Sequence, residues 1–197
     1  MTANGTELPG RVPGAIAAGV RLGRMAVVAD LLLAGFLTAL LLVLTSSDLD
    51  AIPRPFALLL LYATPGIVGA MGVIGRRRSL LYAAGVALAP GSVLSFTGVT
   101  LIFVLPLALF WAAAVTMGPP GPRPARIVEL AELSVLAGLI VGAGVALITL
   151  TEAGCNASGS HCSSAVLTGR GAAVEVGLLL AAVGFAAWRA FGARRSA

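Results

Sequence analysis

Two carboxylates, Asp30 and Glu175, lie inside long apolar segments of this sequence. A carboxylate at the centre of a bilayer costs on the order of 2.5–3.5 kcal/mol on insertion scales, so such a side chain faces protein or water rather than lipid. There it can take up a proton, bind a cation or contact a substrate. The sequence favours a structural reading of each: a polar contact between helices for Asp30, and a half-solvated side chain near Arg170 or the outer loop for Glu175.

Other polar side chains complete a candidate polar or ion site, which comprises Asp30, Tyr82, Trp111, Tyr62, Thr64 and Glu175. Tyr62 and Thr64 are predicted at a depth similar to that of Glu175. Asp30 lies towards the inner, arginine-rich side, where Tyr82, the indole N–H of Trp111 or a long arginine side chain can reach it. Glu175 lies towards the outer side. Because the two carboxylates lie at different depths, they do not form a single carboxylate pair. The alternative is that they are two stations on one path for a proton or a cation.

The second apolar segment is interrupted by Pro65 and Gly66. Proline leaves a helix carbonyl without its donor, and transporters build binding sites from helices broken in this way. A simple kink is the favoured reading, because Pro and Gly are common in membrane helices. Glycines at every third position from Gly66 to Gly75, and a stripe of Gly138, Gly142 and Ala146, predict close helix packing within the chain rather than a homodimer face.

Cys155 and Cys162 bracket a short polar loop that the topology below places outside, where a disulfide is the expected state. A metal site with His161 is the runner-up, but it lacks a fourth ligand and the usual C-x2-C spacing. We predict no metal and no cofactor. Motifs of metalloproteases, nucleotide-binding loops and serine hydrolases do not occur, so we do not expect an enzyme.

Arg126, Glu129 and Glu132 are spaced three residues apart before the fifth apolar segment. This spacing predicts local ion pairs that cap a helix at the membrane interface, worth about 0.3–0.5 kcal/mol each. A docking surface for a cytosolic partner is the less favoured alternative.

The composition is that of a protein embedded in a lipid bilayer: of 197 residues, 58% are hydrophobic and 11% charged, with mean hydropathy +1.01. The net charge of +5 does not indicate a nucleic-acid partner, because the arginines flank apolar segments instead of clustering on a soluble face. Other membrane subunits or a homo-oligomer are the further partners that we consider. Every basic residue is Arg, which indicates a GC-rich bacterial genome and therefore an inner (plasma) membrane.

The predicted fold is all-α: a polytopic bundle of six transmembrane helices between a disordered tail, 1–24, and a second tail, 192–197. The predicted spans are 25–45, 55–75, 79–95, 98–118, 133–151 and 172–191. No charged residue occurs between Arg78 and Arg123, and this stretch is about twice the length of one span. Two crossings there place eleven arginines inside and leave Arg54 and Arg170 outside, with both termini cytoplasmic, whereas one crossing gives seven against six. A re-entrant 79–95 segment is the alternative, because the helix is short before Pro90.

These features predict a multi-pass membrane protein that is a transporter-like or accessory subunit. A structural scaffold that works through helix faces is the alternative, and a lipid-acting enzyme is less favoured. Such an enzyme requires Asp30, Tyr82 and Trp111 to converge on a lipid-accessible cavity.

Overall fold

A computed structural model describes residues 13–45, 53–94, 100–118, 123–149, 151–155, 162–167 and 169–192. Six helices are present in these ranges: α1 (Pro13–Thr45), α2 (Pro53–Gly75), α3 (Arg78–Leu94), α4 (Thr100–Thr116), α5 (Arg123–Thr149) and α6 (Gly169–Phe191). A two-stranded hairpin, β1 (Thr151–Cys155) and β2 (Cys162–Leu167), connects α5 to α6. The predicted helical bundle is therefore confirmed, with the hairpin as an unpredicted addition.

Two helices begin well before their predicted spans. α1 begins at Pro13 rather than at Met25, so residues 13–24 are helical and the prediction of a disordered tail over them is wrong. α5 begins at Arg123 rather than at Leu133. The predicted boundaries followed the apolar runs, whereas each helix starts in a more polar segment with a proline in its first turn, where the missing amide costs nothing. Residues 1–12 and 193–197 lie outside the described residues.

Four helices contain segments that are long and apolar enough to cross a membrane: Gly14–Leu40, Ala57–Gly75, Ala125–Ala146 and Gly171–Phe191. α3 and α4 contain shorter apolar segments, Arg78–Ala89 and Ile102–Thr116. Each of these two helices has 17 residues, and at about 1.5 Å rise per residue it is slightly shorter than a hydrocarbon core of about 30 Å. This pattern of apolar helices is that of a membrane-embedded protein.

α2 and α3 occupy the centre of the bundle. α1 and α4 pack together on one side of them, and α5 and α6 pack together on the other side. The hydrophobic core consequently has two parts. The first lies among α1, α2, α3 and α4 around Phe110, and the second lies among α2, α3, α5 and α6 around Leu136.

A row of glycines lets four helices approach α2 closely. The contacts are Gly66 with Asp30 and Leu31 of α1, Gly69 with Phe110 of α4, Gly72 with Leu80 and Leu81 of α3, and Gly75 with Ala190 of α6. Because each step of three residues turns an α-helix by about 300°, successive glycines are displaced by about 60° around α2. The row therefore sweeps half of the helix circumference, and each glycine meets a different neighbour.

One end of the bundle collects the starts of α1, α3 and α5 and the ends of α2, α4 and α6. Gly19 of α1 lies against Thr116 of α4, Gly75 lies against Ala190, and Arg78 donates to the carbonyl of Gly118. Consecutive helices therefore run in opposite directions. We call this end the arginine end, because it carries Arg21, Arg24, Arg76, Arg77, Arg78, Arg126 and Arg189.

The hairpin is antiparallel and brings the backbones of the two cysteines together: Cys155 pairs with Cys162 in the register. Residues directly opposite in such a pair have Cα atoms about 4.5–5.5 Å apart, which is within the range that a disulfide spans. The side chains of the cysteines, and all of His161, lie outside what the structure describes. The disulfide stays a prediction.

Substituting glycines in contrasting positions tests the packing of α2. A Cβ at Gly69 overlaps the ring of Phe110, whereas a Cβ at Gly138 on α5 meets nothing within 4 Å. We expect Gly69→Ala to lower the free energy of unfolding by about 1–3 kcal/mol, the usual cost of overpacking. Gly138→Ala should leave it unchanged or raise it by up to about 1 kcal/mol. Unfolding in mixed micelles, followed by circular dichroism, measures both, and equal effects would contradict the packing described.

Candidate functional site

Asp30 lies at the contact between α1 and the interrupted part of α2. Its side chain is buried, with 1% exposed, and its carboxylate packs against Gly66 of α2. A Cβ at Gly66 would stand 2.6 Å from Oδ2 of Asp30. The absence of a side chain at position 66 is thus what lets the carboxylate reach the backbone of α2.

One oxygen of this carboxylate is unsatisfied: Oδ2 has no hydrogen-bond partner among the described residues. An isolated ionised carboxylate in an apolar interior costs far more free energy than a protonated one or one paired with a cation. The group therefore has the chemistry to hold a proton or a cation. A contact that serves structure alone would normally have both oxygens satisfied.

Two prolines flank this carboxylate at the same depth. Pro65 precedes Gly66 in α2, and both Pro65 and Pro106 are fully buried. α1 and α4 run in opposite directions with Gly19 beside Met117, so Asp30, eleven residues along α1, is level with Pro106, eleven residues back in α4. Each proline lacks an amide and interrupts the hydrogen bonding of its helix there.

Thr64 does not repair the interruption in α2. Its hydroxyl donates to the carbonyl of Leu60 at 2.7 Å, whereas Pro65 leaves the carbonyl of residue 61, four positions earlier, without its amide. Tyr62, one turn from Gly66, packs its ring against Phe103 of α4 at a centroid distance of 5.5 Å. Tyr62 therefore lies on the face of α2 that carries Gly66, whereas Thr64, two positions before Gly66, lies about 200° around the helix from it.

The side chains proposed as partners of Asp30 have other contacts. Trp111 lies over Gly85 of α3 and is 43% exposed on the outer surface. Tyr82 is partly buried against the first core cluster. Of the arginines from Arg76 to Arg78 that were expected to reach Asp30, Arg78 binds Glu129 and Arg77 lies 4.0 Å from Glu132. Asp30 is buried between α1 and α2, whereas Trp111 lies on the outer surface beside α3.

Glu175 is fully buried, with 0% exposed, and neither of its carboxylate oxygens has a hydrogen-bond partner in the described part of the chain. The half-solvated reading is therefore wrong, and the side chain of Arg170 lies outside the described residues. The sequence placed Glu175 near a boundary by depth alone. It could not show that α6 turns this position inwards, in one buried stripe with Leu179 and Ala182.

The two buried carboxylates are separated by α2. α2 and α6 run in the same direction with Gly75 beside Ala190, so Glu175 is level with Leu60, six residues from Gly66. Six residues correspond to about 9 Å along the axis. The α1 contact at Gly66 and the α6 contact at Gly75 are half a turn apart around α2, so the carboxylates lie on opposite sides of it.

A third buried carboxylate, Glu132 at the arginine end, has both hydrogen-bond and ion-pair partners. Ser79 donates to Oε2 at 2.7 Å, Arg189 pairs with Oε1, and Nη1 of Arg77 stands 4.0 Å from Oε1. These contacts join the start of α5 to the turn before α3, to α3 and to the end of α6. The sequence predicted local ion pairs here, whereas the arginines that contact Glu132 come from the turn before α3 and from the end of α6.

Arg78 makes the second junction at this end. Its Nε lies 3.1 Å from both oxygens of Glu129, and its Nη1 donates to the carbonyl of Gly118 at 3.2 Å. Gly118 has a φ of +124°, a conformation that favours glycine, and it terminates the α4 segment. One guanidinium thus connects α3, α4 and α5.

Neither a family model, nor a curated protein, nor a solved structure matches this chain. Among the described residues, no group of three or more His, Cys, Asp and Glu side chains could hold a metal ion. The function is therefore inferred from the geometry of the buried carboxylates.

Neutralising two buried acids should have contrasting effects on stability. Glu132→Gln removes the charge that Arg189 pairs with, and we expect it to lower the free energy of unfolding by about 3 kcal/mol. Asp30→Asn removes a carboxylate with an unpaired oxygen, so stability should change by less than about 1 kcal/mol or increase. Unfolding in mixed micelles measures both variants, and a large loss in Asp30→Asn would indicate a structural contact instead.

Proposed function

We propose that this protein is a transporter-like membrane subunit in which Asp30 exchanges a proton or a small cation. The observation that carries the proposal is the unpartnered Oδ2 of a buried carboxylate facing Gly66, at the depth of Pro65 and Pro106. Ionisable residues inside membrane segments are costly and are typical of ion pathways and proton relays. Pro65 and Pro106 each leave one carbonyl without its amide within a continuous helix at this depth. Helix carbonyls without their usual donor near the midplane are typical of transporter binding sites.

Glu175 is the proposed second station of this path. It has the same chemistry as Asp30, a buried carboxyl group without a partner in the described residues, and it lies about 9 Å further from the arginine end. A proton passing between them must travel around or through the interrupted α2 segment. Thr64 is a buried polar side chain of α2. In the sequence it lies between Leu60, which is level with Glu175, and Gly66, which contacts Asp30.

We further propose six crossings with both termini in the cytoplasm of a bacterial cell. Alternating helix directions support it, because the arginines collect at the end that holds the starts of α1, α3 and α5. α3 and α4 pack closely against each other and against the long helices, so protein covers much of their surface. The hairpin then lies outside the cell, where its predicted disulfide can form.

An accessory or scaffold role is the second candidate. Several glycines on lipid-facing surfaces of α5 and α6 have open space around them, namely Gly138, Gly177 and Gly184. Small exposed residues let another membrane helix approach closely. Copurification of a second membrane protein after mild detergent extraction would favour this role. No observation favours the lipid-acting enzyme, since Asp30 and Trp111 do not converge.

Ion flux in proteoliposomes tests the transport proposal. We expect the wild-type protein to dissipate an imposed proton, sodium or potassium gradient, reported by an internal pH or cation dye. Asp30→Asn should slow this flux by about a hundredfold or more, the lower range for loss of a positioned proton-transfer group. Thr38→Val is the matched control, because Thr38 is buried on α1 and its hydroxyl donates to its own helix, at the carbonyl of Ala34. Equal flux through wild type and Asp30→Asn would refute the proposal.

Topology is tested separately in intact cells. A membrane-impermeant maleimide should label Cys155 and Cys162 only after treatment with a reductant, because both lie in the hairpin that we place outside. A C-terminal alkaline phosphatase fusion should be inactive, and a fluorescent-protein fusion should fluoresce. The Cys155→Ser, Cys162→Ser double variant is the labelling control. An active phosphatase fusion would show an exported C-terminus and refute the proposed topology.

A further inference from the structure

A groove lies between α5 and α6 near the arginine end. Its volume is about 280 Å³, and its lining residues are Ile127, Val128, Ala131, Glu132, Val135, Phe185, Trp188 and Arg189. The walls are apolar and open to the outside of the bundle: Ile127 is 68% exposed and Trp188 is 62% exposed. Glu132 and Arg189, which pair with each other, also line it, and the side chain of Arg189 is partly exposed.

The charges beneath this groove are unbalanced. Within the described ion-pair network, three guanidinium groups face two carboxylates: Arg77 and Arg189 share Glu132, and Arg78 binds Glu129. In addition, Nε of Arg189 is buried without a hydrogen-bond partner in this part of the structure. The network therefore carries a positive charge in excess, and one of its donors is unsatisfied.

Trp188 gives the groove the character of a membrane interface. The guanidinium carbon of Arg189 lies 5.6 Å from the centre of its ring, and Phe185 packs against it at 5.8 Å. Tryptophan is enriched at the level of the lipid headgroups, where one side of the ring is apolar and the other meets polar groups. The apolar wall therefore lies beside the partly exposed guanidinium of Arg189.

We propose that this groove binds one anionic phospholipid, with an acyl chain along Ala131 and Trp188 and its phosphate at Arg189. The acyl chain of the lipid contacts the apolar walls of the groove, and its phosphodiester contacts the surplus guanidinium charge. Basic pockets between membrane helices on the cytoplasmic side bind anionic headgroups for this reason. The site is independent of Asp30 and of any transport activity.

Fluorescence quenching by brominated lipids tests the site, because the chain contains only two tryptophans, Trp111 and Trp188. Trp111→Phe leaves Trp188 as the reporter in the groove, and Trp188→Phe leaves Trp111 as a reporter elsewhere on the lipid-facing surface. We expect dibrominated phosphatidylglycerol to be preferred over dibrominated phosphatidylcholine about fivefold at Trp188, because the choline cation of phosphatidylcholine offsets the phosphate charge that the surplus guanidinium attracts. No preference is expected at Trp111.

Substitutions at the groove wall sharpen the test in the Trp111→Phe background. Ala131→Phe fills the groove and should abolish the preference, whereas Val115→Phe, at a 65% exposed position near the same end of α4, should retain it. An equal preference at both tryptophans would indicate a general lipid shell and overturn the proposal. Displacement of the lipid by inorganic phosphate alone would also overturn it, because the acyl chain would then contribute nothing.

Discussion

The bundle depends on how closely its helices approach α2. Inside lipid there is no hydrophobic force between helices, so association relies on van der Waals contact and hydrogen bonds, and small residues at the interface allow both. Gly66, Gly69, Gly72 and Gly75 receive side chains or backbone from α1, α4, α3 and α6 in turn. A larger residue at any of them would move a different helix. The position of the interrupted segment at Pro65 is therefore determined by neighbours on several sides of α2.

The buried acidic side chains are of two kinds, those with partners and those without a partner in the described residues. Glu132 accepts from Ser79 and Arg189, so the charge is compensated and the ends of three helices are joined. Asp30 and Glu175 have no such compensation in the described residues, although arginines are abundant in the chain. Burying uncompensated acids lowers stability without improving packing. The rule that buried charges are compensated is typically broken at functional sites. This is the physical basis for the proposal that the two carboxylates are stations on one path.

The sequence predicted the helical bundle, because apolar run lengths depend on local composition. It could not predict the partners of the inner arginines. Arg78 binds Glu129, about fifty positions away, and only the packing of α3 against α5 brings them together. It also misjudged Glu175, since depth along a helix does not show which way a side chain faces. The glycine spacing indicated close contacts, but the identity of each neighbour is a property of the tertiary fold.

Gly66 connects the packing of the bundle to the chemistry of the site. Its missing side chain admits Leu31 and the carboxylate of Asp30. Any side chain at position 66 would both separate α1 from α2 and displace that carboxylate, so its effect on stability could not be distinguished from an effect on ion exchange. Replacing Asp30 by Asn keeps the shape of the side chain and removes only the ionisable group. A substitution at Asp30 therefore separates the role of the carboxylate from the packing of the helices, whereas a substitution at Gly66 does not.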